Sequence, residues 1–369
     1  MKKLLAVSLT AALLMGMSAL AAGCGTGSGG TAENGTLSVY NWGEYISDGS
    51  DGTLDSIAEI EKRLGCSIVY DLYSTNEEMF TKIQSGAVDY DVIIPSDYMI
   101  SRMIEADMLE KLDFANIPNA EHLMEQFKKP DYDPTGEYSV AYTWGTVGLI
   151  YNTTMVEETP DSWNALWDER YARKVFMFSN SRDAFGTAMY KLGIDVNTTD
   201  KAEWQRAYDE LLAQRPLVKS YVMDEIYNMM ESGEAAIGAY YAGDYFTMLD
   251  AEADDVDLRF YYPERTNYFI DAMCIPTCCQ NKELAEIFIN YMLSAEPAIA
   301  NAEYIYYASP NSLVYEDEGY QEDLGEEAME ILYPEIEDFS ALYNEYAYRN
   351  LDSDMLDFVN TLWETLKIS

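Results

Sequence analysis

Residues 37–46 read LSVYNWGEYI. Leu37–Asn41 is a short apolar strand, and Trp42, Glu44 and Tyr45 follow it at once. A core strand has no use for Glu44, and a surface loop has little use for Trp42, so the segment reads as a strand that ends in a site. Working outward, apolar residues at 54, 57, 58 and 64 have helical spacing, and Gly65 supplies the stop. Ser67–Tyr70 is a second strand. Asn76–Gln84 is a helix with Asn76 as its cap, and Asp91–Ile94 is a buried strand ending at Pro95. This alternation predicts an α/β fold with a mostly parallel sheet flanked by helices. Ligands in such sheets sit beyond the carboxyl ends of the strands. Trp42–Tyr45 and Ser96–Tyr98 therefore fall on one rim of one sheet.

The middle of the chain starts a second α/β region. Tyr138–Tyr151 reads as strand, turn, strand. Val175–Phe178 is a strand feeding a helix over Ala184–Leu192, and Trp204–Leu212 and Ile226–Glu231 are further helices. Ala236–Tyr241, Leu258–Tyr262 and Tyr268–Ile275 read as strands. Two apolar stripes, Leu284/Ile287/Phe288/Tyr291/Met292 and Met355/Val359/Leu362/Trp363/Leu366, predict amphipathic helices.

The N-terminus predicts export. Lys2 and Lys3 precede an apolar run from Leu4 to Met17, and Ala21, Ala22 and Gly23 stand before Cys24. The pattern resembles the lipobox of bacterial lipoproteins, with Leu20 one place further upstream than usual. It implies a signal peptide over 1–23 and lipidation of Cys24. The following Gly/Ser-rich stretch, 24–35, reads as a flexible tether. The composition, 23 basic against 65 acidic residues, excludes a nucleic-acid partner, since a phosphate-binding surface needs the opposite charge. Four further cysteines, Cys66, Cys274, Cys278 and Cys279, and one histidine, His122, do not form a zinc pattern. Disulfides and free thiols both remain open.

Catalytic motifs are absent: there is no GxSxG, no P-loop and no GxGxxG opening a helix. Binding is better supplied. Asp183, Asp244 and Asp271 stand beside aromatic residues near strand ends, as Glu44 does. Rings can take the methylenes of an organic cation and carboxylates can take its ammonium protons. Asp183 and Asp244 also read as helix N-caps, and Ser96 as a cap. Asp271 is harder to place otherwise. It shares a strand face with Phe269, and no basic residue lies between Arg265 and Lys282. Two rival readings stay open. One is ferric-iron binding by some of the 31 tyrosines. The other is a secreted hydrolase built on a carboxylate pair.

Seven stretches, in order, make the sequence specific: VYNWGEYI, YDVIIPSDYM, AYTWGTVGLIYN, SRDAFGTAMYKLG, GEAAIGAYYAGDYF, YFIDAMCIP and YYASPN. Across nearly the whole mature chain they resemble the spermidine/putrescine-binding proteins of polyamine ABC transporters, a branch of the two-lobed periplasmic-type solute-binding proteins. The resemblance implies lobes formed by 36–145 with 272–312 and by 146–271 with 313–369, joined by a hinge. It implies ligand contacts from Trp42, Glu44, Tyr45, Ser96, Tyr98, Asp183, Tyr241, Asp244, Phe269 and Asp271. Tyr241 stands where relatives usually carry tryptophan, and Asp244 matches an acid of the putrescine-preferring branch. Gly43 replaces a hydroxyl residue of some relatives. Asn180, where spermidine binders can carry a second acid, is a further candidate. Arg349 falls near a polar amide of relatives and is not carried over. The expected protein is an extracellular, lipid-anchored, monomeric substrate-binding component of an ABC importer. It would deliver a polyamine to a permease, with no catalysis, cofactor or metal.

Overall fold

The computed structural model describes residues 35–368; the leader, Cys24 and nearly all of the tether lie outside them. The chain opens with β1 (Thr36–Trp42), α1 (Ser56–Leu64), β2 (Ser67–Tyr73), α2 (Asn76–Gln84), β3 (Val92–Ile93) and α3 (Asp97–Glu105). β1 pairs in parallel with both β2 and β3. Asp55 caps α1 by accepting from the Ala58 amide at 2.8 Å, and Gly65 closes the helix at φ +62°. In α2 the cap is Thr75, which accepts from the Glu78 amide at 3.2 Å, and not Asn76. Asn76 is thereby free to brace the sheet rim.

β4 (Ser139–Asn152) is one buried strand of 14 residues, where the sequence reads as strand, turn, strand. After it come β5 (Val175–Phe178), α4 (Ser181–Leu192), α5 (Lys201–Gln214), β6 (Val218–Val222), α6 (Ile226–Glu231), β7 (Ile237–Tyr241), α7 (Ala242–Ala251), β8 (Leu258–Tyr261) and β9 (Tyr268–Cys274). Gly145 and Gly148 suggest a turn in β4 but serve close packing instead. A Cβ on Gly145 would lie 2.8 Å from Phe269 Cζ. One on Gly148 would lie 2.2 Å from Phe260 Cζ and 2.7 Å from the Tyr261 carbonyl oxygen. Gly148→Ala must therefore push β8 away from β4. It is expected to destabilise the fold by about 2–3 kcal/mol, read as a lower denaturation midpoint; an unchanged midpoint would contradict this packing.

β4 joins two sheets. Its first half, Ser139–Thr146, runs antiparallel to β9, and its second half, Val147–Asn152, pairs with β7 and β8. The strand order is β2-β1-β3-β9-β4-β7-β5-β6. Two parallel trios, β2-β1-β3 and β7-β5-β6, thus flank an antiparallel centre.

The chain ends with α8 (Lys282–Met292), α9 (Ala295–Ile305), α10 (Ser312–Tyr315), α11 (Glu318–Leu332), α12 (Phe339–Tyr346) and α13 (Ser353–Ile368). In α8 the stripe Leu284, Phe288, Tyr291 and Met292 is buried, and Ile287 is half-buried. α13 buries all five residues of its predicted stripe and lies against α4 and α5. α12 lies against β9, with Phe339 tilted against Phe127 and edge-on to Trp144. Cys66, Cys274, Cys278 and Cys279 are all free thiols. Among the described residues, no helix is long and apolar enough to cross a membrane.

Candidate functional site

The carboxyl ends of both parallel trios converge on one cavity with about 830 Å³ of atom-free space, part of it open to solvent. All ten sequence-predicted contact residues line it, and so does Asn180. Residues following β1, β2 and β3 form one wall. Residues following β5, β6 and β7 form the other, and β9 runs along the floor.

In the first wall, the Trp42 indole donates to the Ile94 carbonyl at 2.9 Å, and its ring packs 4.4 Å from Tyr73. That bond fixes the ring between core and cavity. Glu44 follows in a turn with φ +50°, a left-handed conformation unusual for this residue type, and accepts from Tyr304 at 3.3 Å. It is exposed at the mouth. Ser96 is the cap residue of α3, yet its side chain makes no cap bond; Oγ accepts from Asn76 at 3.1 Å. Asn76 also donates to the Tyr98 hydroxyl at 3.1 Å, so one side chain positions both members of that cluster.

Asp271 sits in β9 with 4 % of its surface exposed. Tyr45 donates to its Oδ2 at 2.6 Å, while Oδ1 is buried with no partner. Burial pushes its carboxyl up to about 6, against hydrogen bonds from Ser96 and Tyr45 that favour the ionised form. Phe269, on the same face, packs edge-on to Tyr241 at 5.4 Å and to Tyr307 at 6.0 Å.

In the second wall, Asp183 lies in the first turn of α4, where Asn180 provides the cap by accepting from the Arg182 amide at 2.9 Å. Tyr241 donates to Asp183 at 2.8 Å, and burial raises the carboxyl to about 6. Asp244, in the first turn of α7, accepts hydrogen bonds from Tyr227 at 2.6 Å and Tyr307 at 2.9 Å, and burial raises it to about 7. Neither aspartate is the cap residue; both sit inside the first turn, where the helix dipole favours a negative charge.

The cavity holds residues that the sequence does not single out. Asp97 is 1 % exposed and raised to about 7 by burial; Tyr343 of α12 donates to it at 2.6 Å. Asp224 follows β6, an edge strand whose VKSYV has no clear periodicity, so its place on the rim is invisible beforehand. Tyr240 and Tyr307 lie within quoted stretches and Tyr227 lies in α6. Tyr348 lines the cavity where Arg349, its neighbour, is exposed and points elsewhere, donating to the Asn344 carbonyl at 2.8 Å. Among the described residues, the lining contains no lysine, arginine or histidine.

Buried carboxylates without a counter-charge are costly unless something supplies one. A cation with several ammonium groups would supply it, and the aromatic walls suit the methylenes between them.

Comparisons with known proteins place this arrangement. The model of a family described as bacterial extracellular solute-binding protein matches residues 90–329. The spermidine/putrescine-binding periplasmic protein of Salmonella typhimurium is 31 % identical over 348 residues, covering 91 % of this chain and 94 % of that one. Among solved structures, the spermidine/putrescine ABC transporter substrate-binding protein PotD of Streptococcus pneumoniae superposes with a TM-score of 0.73 at 32 % identity, over 90 % of this chain and 98 % of that one. A chain from Listeria monocytogenes assigned to spermidine/putrescine ABC transport superposes with a TM-score of 0.80 at 36 % identity, over 90 % of this chain and 99 % of that one. With its two-lobed α/β fold and a family match over most of its length, the chain belongs to the bacterial extracellular solute-binding proteins.

Proposed function

We propose that this chain captures a polyamine, spermidine or putrescine, in the cavity between its two sheets and delivers it to the permease of an ABC importer. The observation that carries the reading is the acid set: Asp271, Asp183 and Asp244 are buried, no basic side chain joins them in the lining, and the buried Arg182 bears on Asp183 but no cation acts on Asp271 or Asp244. The naming of the relatives supports the same ligand class. Trp42, Tyr45, Tyr98, Tyr241 and Phe269 are the aromatic contacts in this reading. Glu44 and Ser96 add polar contacts, and Asn180 offers an amide. β1–β3, β9 and the first half of β4 act as one lobe, and β5–β8 with the second half of β4 as the other. Contacts to both lobes give the ligand a higher affinity for the closed arrangement, which is what closure requires. Cys24 anchors the protein by its lipid to the outer face of the membrane, and the protein works as a monomer without catalysis.

Ferric iron fits poorly. Iron-binding tyrosines must lose their protons, but here Tyr45, Tyr227, Tyr241 and Tyr307 keep theirs in hydrogen bonds to carboxylates, and burial pushes each phenol well above its usual range.

A thermal-shift series with putrescine, cadaverine, spermidine and spermine tests the reading. A ligand at a hundredfold excess over its Kd adds about 2.7 kcal/mol, a rise of several degrees. A saturable rise with at least one polyamine is expected. No saturable rise from any of the four would sink the proposal.

A further inference from the structure

We infer that Asp224 is a specificity-determining carboxylate that holds a third amine, so that the cleft favours a triamine over a diamine. This rests on the polyamine reading above. The carboxyl ends of β5, β6 and β7 each deliver one aspartate to the same cavity: Asp183, Asp224 and Asp244. Asp183 and Asp244 are nine-tenths buried, as is Asp271 across the floor, whereas Asp224 stands exposed at the rim.

Apart from Glu44 at the mouth and Asp97, which the Ile270 amide and Tyr343 already hold, the lining acids fall into three groups, each with its own phenol donors. Asp271 takes Tyr45, and Asp183 takes Tyr241. Asp244 and Asp224 form the third group. Tyr227 donates to Asp244, Tyr240 donates to Asp224 at 3.3 Å, and the two rings meet edge-on at 6.2 Å. The two carboxylates also feel each other, since the Asp224 charge helps to raise Asp244. A diamine has two ammoniums and leaves one group unanswered. A triamine answers all three, and its third ammonium meets a site with two acids.

Access to Asp224 depends on the facing turn. Its Oδ2 lies 3.8 Å from the position a Cβ on Gly43 would occupy. Gly43 puts no side chain into the gap between the two walls, so the space beside Asp224 is left to the ligand.

Calorimetric titration of the wild-type chain, Asp224→Asn and Glu225→Gln with putrescine and spermidine tests the inference. Glu225 carries the same charge one residue away and does not line the cavity. Asp224→Asn is expected to weaken spermidine about tenfold or more and putrescine less than about threefold, as loss of one charge-assisted contact predicts. Glu225→Gln is expected to leave both ligands unchanged. Equal weakening of both ligands, no weakening of either, or the same effect from Glu225→Gln would each overturn it. Wild-type protein that binds neither ligand would instead mean that the polyamine reading itself has failed, and the inference with it.

Discussion

Asp271→Asn is expected to weaken putrescine and spermidine binding by about 30-fold or more without lowering the stability of the ligand-free protein. Truncating one partner of a buried charge pair costs about 2–5 kcal/mol, because the other charge is left unpaired. In the ligand-free protein the balance is the reverse. The aspartate is buried, its Oδ1 has no partner, and it is accompanied by no cation. Asparagine keeps the shape and an oxygen for the Tyr45 hydroxyl, now 2.6 Å from Oδ2, and removes the buried charge. Replacement of such a charge by a neutral isostere is neutral or stabilising. Titration calorimetry and a denaturation curve on the same variant separate the two effects. Wild-type affinity in Asp271→Asn would remove Asp271 from the site. Lost affinity together with lost stability would make it a structural residue.

The second large effect is on pH. Asp271 and Asp183 are raised to about 6, and Asp97 and Asp244 to about 7, all chiefly by burial. Between about pH 4 and pH 7 the folded, ligand-free chain therefore holds protons that the unfolded chain has released. The contribution of these four acids to stability falls as pH rises through that window and levels off above it. For Asp271 alone the shift corresponds to about 3 kcal/mol. Ligand binding runs the other way. Ammonium groups favour ionised carboxylates, so affinity rises from about pH 5 to pH 8, by up to tenfold per unit below about pH 6 for each acid that must ionise. Binding near pH 6 should release protons. Calorimetry in two buffers of different ionisation enthalpy reads that release directly, and a pH-independent affinity with no proton release would contradict the shifted acids.

Much of this was legible in the sequence. The first strand–helix–strand–helix–strand run is plain because each element carries a clean period, and the chain gains its rim from that order alone. The acids beside aromatics, and Asp271 above all, stand out because burial of an unpaired charge has no structural motive. β4 was misread because glycine signals both a turn and close packing, and only the partner strands decide between them. β6 was missed because an edge strand needs no hydrophobic alternation, and Asp224 went with it. Tyr348 comes from the irregular segment between α12 and α13, where periodicity says nothing. Asp97 reads as an ordinary first-turn acid until Tyr343, 246 positions away, closes over it.

The central claim, one polyamine held between the two walls, is tested most directly by titrating spermidine and putrescine into the wild-type protein near neutral pH and physiological salt. One saturable site with a stoichiometry near one is predicted for at least one of them. Heats that never saturate for either ligand, from protein that is folded by the denaturation criterion, would contradict it.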